Sequence, residues 1–390
     1  MLSSILFFLD YLQIPQKSVH LQCVFHSIRF KVNKGWSKAL LLFLCPYVCR
    51  NIQITIFALK EVAMKNILII GANGFTGRQI LNDLSKQTRY KITGCSLHPD
   101  ICANNKGNYE SSRNYHFKVI DIRNKEIVGN LFKEVSPDLV INCSALSVPD
   151  YCEIHHEEAF LMNVTAVAQL AQLCRNHKCR FIHLSTDFVF DGETYETPKH
   201  FKTKKDTNPY ENQAESLSPQ YLYTEDDTPA PVNYYGYTKW KGEERVSEIC
   251  QDYAIVRVEI VYGKTLPGQH GNIVQLVMNR LKAGQEIRVV SDQWRTPTYV
   301  GDVSVGIQKL MESTHNGIFH ICGDEYLAIS DIAFQVAEAM NLNNNLIHPV
   351  TTKEMNESTP RPRYSGMSIE KAQKLLNYQP RKLKQILREW

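Results

Sequence analysis

From residue 65 onward, short β-branched apolar runs alternate with longer stretches of helical spacing. Ile67–Ile70 is a continuous apolar run, the pattern of a strand buried on both faces. A helix is predicted over about Gly77–Gln87, then strands at Tyr90–Cys95 and His116–Ile120. A helical stretch covers Lys125–Val135, and Pro137 stops it. Asp138–Asn142, Arg180–Ser185 and Ala254–Val258 predict three more strands, with helices over Ala159–His177 and around Tyr235–Cys250. Strands separated by helices predict βαβ units with right-handed crossovers, hence a doubly wound parallel α/β sheet. This first domain is placed at 64–262. From about 263 short strands and helices mix, which predicts a smaller lobe over 263–390, partly interleaved with the first domain.

Two segments break the pattern. Residues 193–223 are polar and rich in Lys, Thr, Asn, Pro and Glu, and predict a long loop inserted between two site-bearing segments. Residues 1–63 do not resemble the rest. Their apolar runs, Ile5–Leu9 and Ala39–Val48, fall short of the roughly 18–20 residues that span a bilayer, so no stable membrane insertion is expected. The start lacks the basic residues of a signal peptide. The clean strand pattern after Met64 favours Met64 as the biological start, with 1–63 a non-native or disordered extension. The rival is a genuine membrane-surface or partner-binding extension.

Composition adds little beyond exclusions. The 390 residues are 43% hydrophobic and 22% charged, the range of an ordinary globular protein. The net charge of +4 comes from 44 Lys and Arg against 40 Asp and Glu. The excess sits before Met64, which leaves the body near neutrality and gives no bulk electrostatic case for nucleic acid. The 11 cysteines are odd in number and form no framework. Neither close pair, Cys45/Cys49 or Cys174/Cys179, has zinc-finger partners. Reduced thiols in a cytoplasmic protein are the simplest expectation. Glu153, Glu157 and Glu158 with His155 and His156 could suggest a metal, but adjacent histidines on a helix face apart, so none is expected.

Gly71-Ala72-Asn73-Gly74-Phe75-Thr76-Gly77 follows the first predicted strand and opens a helix. Small residues let the chain turn tightly, let backbone approach a pyrophosphate and let the helix pack on the strand. The helix N-terminus then offers free N–H groups to phosphate. In this context the spacing predicts a dinucleotide site. The second strand ends in Ser96-Leu97-His98, without the carboxylate that would bind a ribose 2′-hydroxyl. Ser96 and His98 could accept a 2′-phosphate, so NADP(H) is favoured, with NAD(H) possible. Asp121, followed by Ile122, is placed to meet the adenine amine, or else to cap a turn.

Ser185-Thr186-Asp187 ends the fifth strand, and Tyr235-Gly236-Tyr237-Thr238-Lys239 has YxxxK spacing on a helix. Positions i and i+4 share a face. A lysine cation near a phenol favours phenolate, which predicts a lowered Tyr235 pKa and a proton donor for a carbonyl oxygen. Thr186 can hydrogen-bond the same oxygen.

GANGFTG at 71–77, STDFVFDG at 185–192 and YGYTKWKGE at 235–243 resemble the extended short-chain dehydrogenase/reductase superfamily, and within it the dTDP-4-dehydrorhamnose reductases. The resemblance runs over 64–390. Asn142-Cys143-Ser144-Ala145 with Asp150 and Glu153, Asn163, Arg257 through Tyr262-Gly263, Asp292 to Thr298, and Arg361-Pro362 with Ser365 follow in the family's order. The resemblance implies a Rossmann-type domain with a smaller substrate lobe. It implies a cofactor on Gly71–Gly77 and near Cys143, Ser144 and Ala145. Tyr235 would protonate the C4 oxygen of a nucleotide-linked 4-keto sugar, Lys239 would hold the nicotinamide ribose and tune Tyr235, and Thr186 would orient the carbonyl. A homodimer is possible.

Leu146 stands where the family has an aromatic residue, Ile260 where it often has tryptophan, and the 193–223 loop is longer than usual. These departures fall where the sugar would be recognised. Two alternatives stay open. One is a non-catalytic nucleotide-binding regulator similar to the methionine adenosyltransferase β subunit. The other is a sugar-nucleotide epimerase or dehydratase, although a dehydratase would carry an acidic pair after Thr186 and here Phe188 follows Asp187. Trp294 could stack on a base or sugar, or simply pack.

Overall fold

The computed structural model describes residues 65–102, 115–193 and 222–390. The expectations for 1–63 and for most of the 193–223 loop lie outside the described residues. Six strands, β1 (Lys65–Ile70), β2 (Tyr90–Ser96), β3 (Tyr115–Val119), β4 (Leu139–Asn142), β5 (Arg180–Thr186) and β6 (Tyr253–Val258), match the six apolar runs. Between them lie α1 (Phe75–Ser85), α2 (Lys125–Val135), α3 (Pro149–Ile154), α4 (His156–Phe160), α5 (Ala166–His177) and α6 (Tyr234–Ile249). Then follow β7 (Val261–Tyr262), β8 (Ile287–Val290), β9 (Trp294–Arg295), β10 (Thr298–Tyr299), β11 (Gly317–His320), β12 (Leu327–Ala328) and β13 (Ile347–Val350). Their helices are α7 (Ile273–Lys282), α8 (Val300–Glu312), α9 (Ile329–Ala339), α10 (Thr352–Met355), α11 (Glu370–Leu376) and α12 (Leu383–Arg388).

The main sheet runs β11-β6-β5-β4-β1-β2-β3. Every neighbouring pair in it is parallel. Alternation in β1 shows why the apolar run is continuous. Ile67 and Ile69 join one core with Ile80, Leu81 and Leu84 of α1 and Val303, Ile307 and Leu310 of α8. Leu68 and Ile70 join the opposite core with Val128 and Phe132 of α2 and Val167, Leu170 and Cys174 of α5. Chain order reverses between β1 and β4, which opens a crevice beyond their C-terminal ends, the place where such sheets take ligands.

The chain after 263 contributes both to this sheet, through β11 beside β6, and to a separate core built from α7, β8, α9, β13 and α12 around Val274, Val277, Ile332, Val336 and Ile386. Among the described residues no helix is long and apolar enough to cross a membrane.

The single helix expected over Ala159–His177 is interrupted. α4 passes into a π-helical turn, Leu161–Thr165, before α5 begins. Its centre is Asn163, fully buried. The Asn163 amide clamps the β4 loop, donating to Leu146 O at 3.0 Å and accepting from Leu146 N at 2.8 Å, and donates to Thr238 Oγ1 at 3.0 Å. A Cβ on Gly242 would sit 2.5 Å from Asn163 O, so α6 crosses this turn in backbone contact. A widened turn that meets a neighbouring helix and a site loop at once gives no periodic signal in sequence.

Candidate active site

A cavity of about 670 Å³ opens at the β1/β4 switch point. Its walls include Gly71, Asn73, Gly74, Phe75, Thr76, Ser96, Asp121, Ile122, Cys143, Ser144, Ala145, Tyr235 and Lys239. One surface thus gathers nearly every residue singled out from sequence. Gly77 and Thr186 are not walls. Gly77 serves from behind, because a Cβ there would fall 2.3 Å from Gly71 O. Gly71 has φ +78°, and a Cβ would meet Ser144 N at 2.7 Å, so only glycine lets the turn lie against the β4 loop. The turn also shows free helix N–H groups to the cavity, since α1 has no side-chain cap.

Asn73 faces the cavity with its backbone, because its side chain is already spent. It donates to His98 O at 3.0 Å and Pro99 O at 2.8 Å, and it accepts from Arg78 at 2.7 Å and Ile101 N at 3.2 Å. Asp100, two residues past His98, is turned away: it takes Arg78 at 2.6 Å and the Tyr115 hydroxyl at 2.7 Å. The cavity's β2 edge is therefore Ser96, Leu97 and His98, without a carboxylate. Asp121 lines the cavity, but its carboxylate is held by Arg123 through Nε at 3.0 Å and Nη2 at 2.7 Å. This pair lowers the Asp121 pKa. Arg123 is a second wall that sequence reasoning missed; the signal was the Asp-x-Arg spacing just after β3. Gln269 and His270 are further walls, contributed by the segment after 263. Gln269 donates to Asn73 O at 3.0 Å.

The Tyr–Lys pair is delivered by α6. Asn233 caps that helix, accepting from Gly236 N at 2.9 Å, and donates to Pro360 O at 2.8 Å. Glu153 of α3 accepts from Tyr234 N at 2.9 Å. Tyr235 is 9% exposed and packs edge-on against Phe188. Its expected pKa depression is overturned. Burial pushes the phenol up, with the Thr186 hydroxyl acting against that as its hydrogen-bond partner and the Asp187 charge adding to it. Lys239 does not offset this burial, because its Nζ is directed to Leu184 O at 2.6 Å and lies 3.5 Å from His183 Nε2. Burial pushes Lys239 itself down to about 8. The free protein therefore holds a protonated Tyr235, the form that can give a proton.

His183 was missed, hidden inside an apolar strand. Asn142 Oδ1 accepts from Ser144 N at 3.1 Å, so its amide nitrogen faces His183 Nδ1 at 3.1 Å and donates. Burial, then Lys239, depresses the His183 pKa well below its ordinary value. The ring is therefore neutral.

Other motif residues do not line this cavity. Arg257 is fully buried and grips Glu243 at 2.9 and 2.7 Å. Asp150 meets Ser358 at 2.9 Å and Arg361 at 3.6 Å. Trp294 packs against Tyr326 at 5.7 Å and does not line the cavity. His155 and His156 face different rings, Tyr151 and Tyr234. Cys174 and Cys179 are free thiols.

A family model described as RmlD substrate binding domain matches residues 64–390. A relative named "Probable low-salt glycan biosynthesis reductase Agl14" from Haloferax volcanii is 30% identical over 304 residues, covering 77% of this chain and 89% of its own. Methionine adenosyltransferase 2 subunit beta from Xenopus laevis is 28% identical over 319 residues, covering 80% and 83%. The crystal structure of a dTDP-4-dehydrorhamnose reductase from Bacillus anthracis in complex with NADP is 26% identical, with TM-score 0.67, covering 83% of this chain and 98% of that one. With a parallel sheet, a glycine turn at its switch point and a tyrosine–lysine pair on the same cavity, this chain belongs to the RmlD substrate binding domain family, within the extended short-chain dehydrogenase/reductases.

Proposed function

We propose that the protein is a nicotinamide-dependent reductase of a nucleotide-linked 4-keto-6-deoxy sugar, of the dTDP-4-dehydrorhamnose type, working in deoxysugar or cell-surface polysaccharide synthesis. The observation that carries this reading is that Tyr235 and Lys239 line the same cavity as Gly71–Thr76. The donor set fits a dinucleotide: backbone N–H groups at a helix start, close backbone at Gly71 and Ser144, and a buried lysine. Gly71, Gly74, Phe75, Thr76, Cys143, Ser144 and Ala145 would hold the cofactor, with Ser96 at its adenosine end. The carboxylate-free β2 edge and Arg123 favour a 2′-phosphate, hence NADP(H). A nicotinamide cofactor bound there supplies hydride to a carbonyl carbon.

The chain's own residues do the rest. Tyr235, kept protonated by burial, gives its proton to the carbonyl oxygen as negative charge develops there. Lys239 supplies a cation beside the resulting phenolate and a hydrogen bond for a ribose hydroxyl. Thr186 holds the Tyr235 hydroxyl. Purified protein should oxidise NADPH with dTDP-4-keto-6-deoxy sugar, and Tyr235→Phe should lower kcat by about 10²–10⁴-fold while NADPH binding persists. No oxidation by the intact protein would remove this substrate class.

A second reading is a nucleotide-binding regulatory subunit, favoured by the similarity to methionine adenosyltransferase 2 subunit beta. Co-purification with a synthetase and a Tyr235→Phe variant of undiminished effect would support it.

A further inference from the structure

Behind Thr186 lies a cluster that the reaction above leaves unused. Asp187, Glu259, Arg295 and Ser365 are each 3% exposed or less. Ser365 Oγ is 2.6 Å from Asp187 Oδ2 and 2.8 Å from Glu259 Oε1. A hydroxyl has one hydrogen, so it can donate to one of these oxygens and must accept from the other. Two carboxylates therefore do not satisfy this geometry, whereas one carboxylate and one carboxylic acid do. The charge count agrees. Arg295 is the cation placed between them, with Nε 3.7 Å from Asp187 and 3.6 Å from Glu259. Its terminal nitrogens are spent on Trp294 O, Arg363 O, Pro362 O and Gln293 Oε1.

The remaining contacts leave Glu259 Oε1 and Asp187 Oδ2 as the two oxygens that can carry the proton. Glu259 Oε2 already accepts from Thr296 N at 2.7 Å and from the Thr296 hydroxyl, which leaves Oε1 to face Ser365. Asp187 Oδ1 accepts from Thr186 Oγ1 at 3.0 Å. Burial raises both carboxyls, and Glu259 well above the usual carboxylate range. The other titratable groups facing the pair, the Tyr235 phenol and the Cys322 thiol, are also held protonated by burial. Backbone strain marks the same place. Ile260, a β-branched residue, has φ +36°, directly after the glutamate whose side chain is turned inward.

We propose that Asp187, Ser365 and Glu259 form a one-proton carboxyl pair that fixes the direction of the Thr186 hydroxyl and so positions Tyr235. Glu259 donates to Ser365, Ser365 donates to Asp187, and Thr186 donates to the remaining oxygen of Asp187. With its hydrogen committed to Asp187 Oδ1, Thr186 holds its Oγ1 at one fixed place beside the Tyr235 hydroxyl. Asp187, Ser365 and Glu259 are positioning residues. The kinetic part of the inference rests on the reductase reading; the shared proton does not.

Infrared difference spectroscopy of the full chain without cofactor tests the proton directly. A carboxylic-acid carbonyl band should persist at neutral pH and vanish in Glu259→Gln. Kinetics test the positioning. A glutamine amide donates to Ser365 as the acid would, whereas asparagine at 187 cannot take the carboxylate's place. Asp187→Asn should therefore lower kcat by about 10–100-fold with KM little changed, and Glu259→Gln should cost at least about tenfold less. Absence of the acid band in the intact protein overturns the proposal, whatever the variants do. Equal losses in the two variants, both folded by thermal melting, overturn the positioning role. The band present in a protein that oxidises no NADPH with the keto sugar sustains the pair and removes the proposed substrate class instead.

Discussion

Lys239 carries a quantitative expectation that needs no substrate. Its ammonium is 2% exposed, and its one short hydrogen bond is to Leu184 O. Burial lowers its pKa from 10.5 to about 8, with Glu243 only partly offsetting. In the unfolded chain the lysine titrates near its ordinary value, so between about pH 8 and 10.5 the unfolded state binds the extra proton. Stability from this group therefore rises with pH across that window, and below it the native state bears the full cost of a buried cation. A gap of about 2.5 pH units at 1.36 kcal/mol each amounts to about 3 kcal/mol. Lys239→Met removes the titration. Buried thiols and phenols such as Cys95, Cys143 and Tyr235 are shifted upward and work in the opposite sense, but they stand in both proteins and largely cancel in the difference. Urea unfolding of the two proteins at pH 7.5 and pH 10.5 gives that difference. The wild type should gain about 3 kcal/mol on the variant as pH rises. A difference independent of pH would refute the claim that Lys239 is a buried cation.

Three further outcomes follow from particular contacts. Gly77→Ala, whose methyl would meet Gly71 O, should displace the glycine turn and abolish NADPH-induced fluorescence change while the thermal melt stays cooperative. Asn163→Ala removes three hydrogen bonds, to Leu146 N, Leu146 O and Thr238 Oγ1, and leaves Leu146 N without a partner, and should destabilise the fold by about 2–4 kcal/mol in urea titration. Ser96→Glu places a carboxylate at the β2 edge, and should shift the NADH-to-NADPH preference in binding titrations toward NADH by at least about tenfold.

Periodicity and spacing made much of this protein legible. Strands buried on both faces are continuous apolar runs, and helices between them have one apolar face, so the α/β alternation is written locally. A glycine that must have φ > 0 or meet backbone is also a local demand, which is why Gly71–Gly77 stood out. Long-range partners were not legible. The 3.6-residue rule places Lys239 on the face of Tyr235, but only packing binds its ammonium to Leu184 O and buries the phenol, reversing the expected pKa shift. Asp100 follows β2 closely enough to suggest a ribose ligand, yet Arg78 and Tyr115 draw it aside. Asp187, Glu259 and Ser365 are up to 178 residues apart along the chain. Sequence determined which groups exist and which element carries each. Tertiary structure decided which charges share a proton, because burial and proximity, the two causes of that sharing, exist only once the chain is folded.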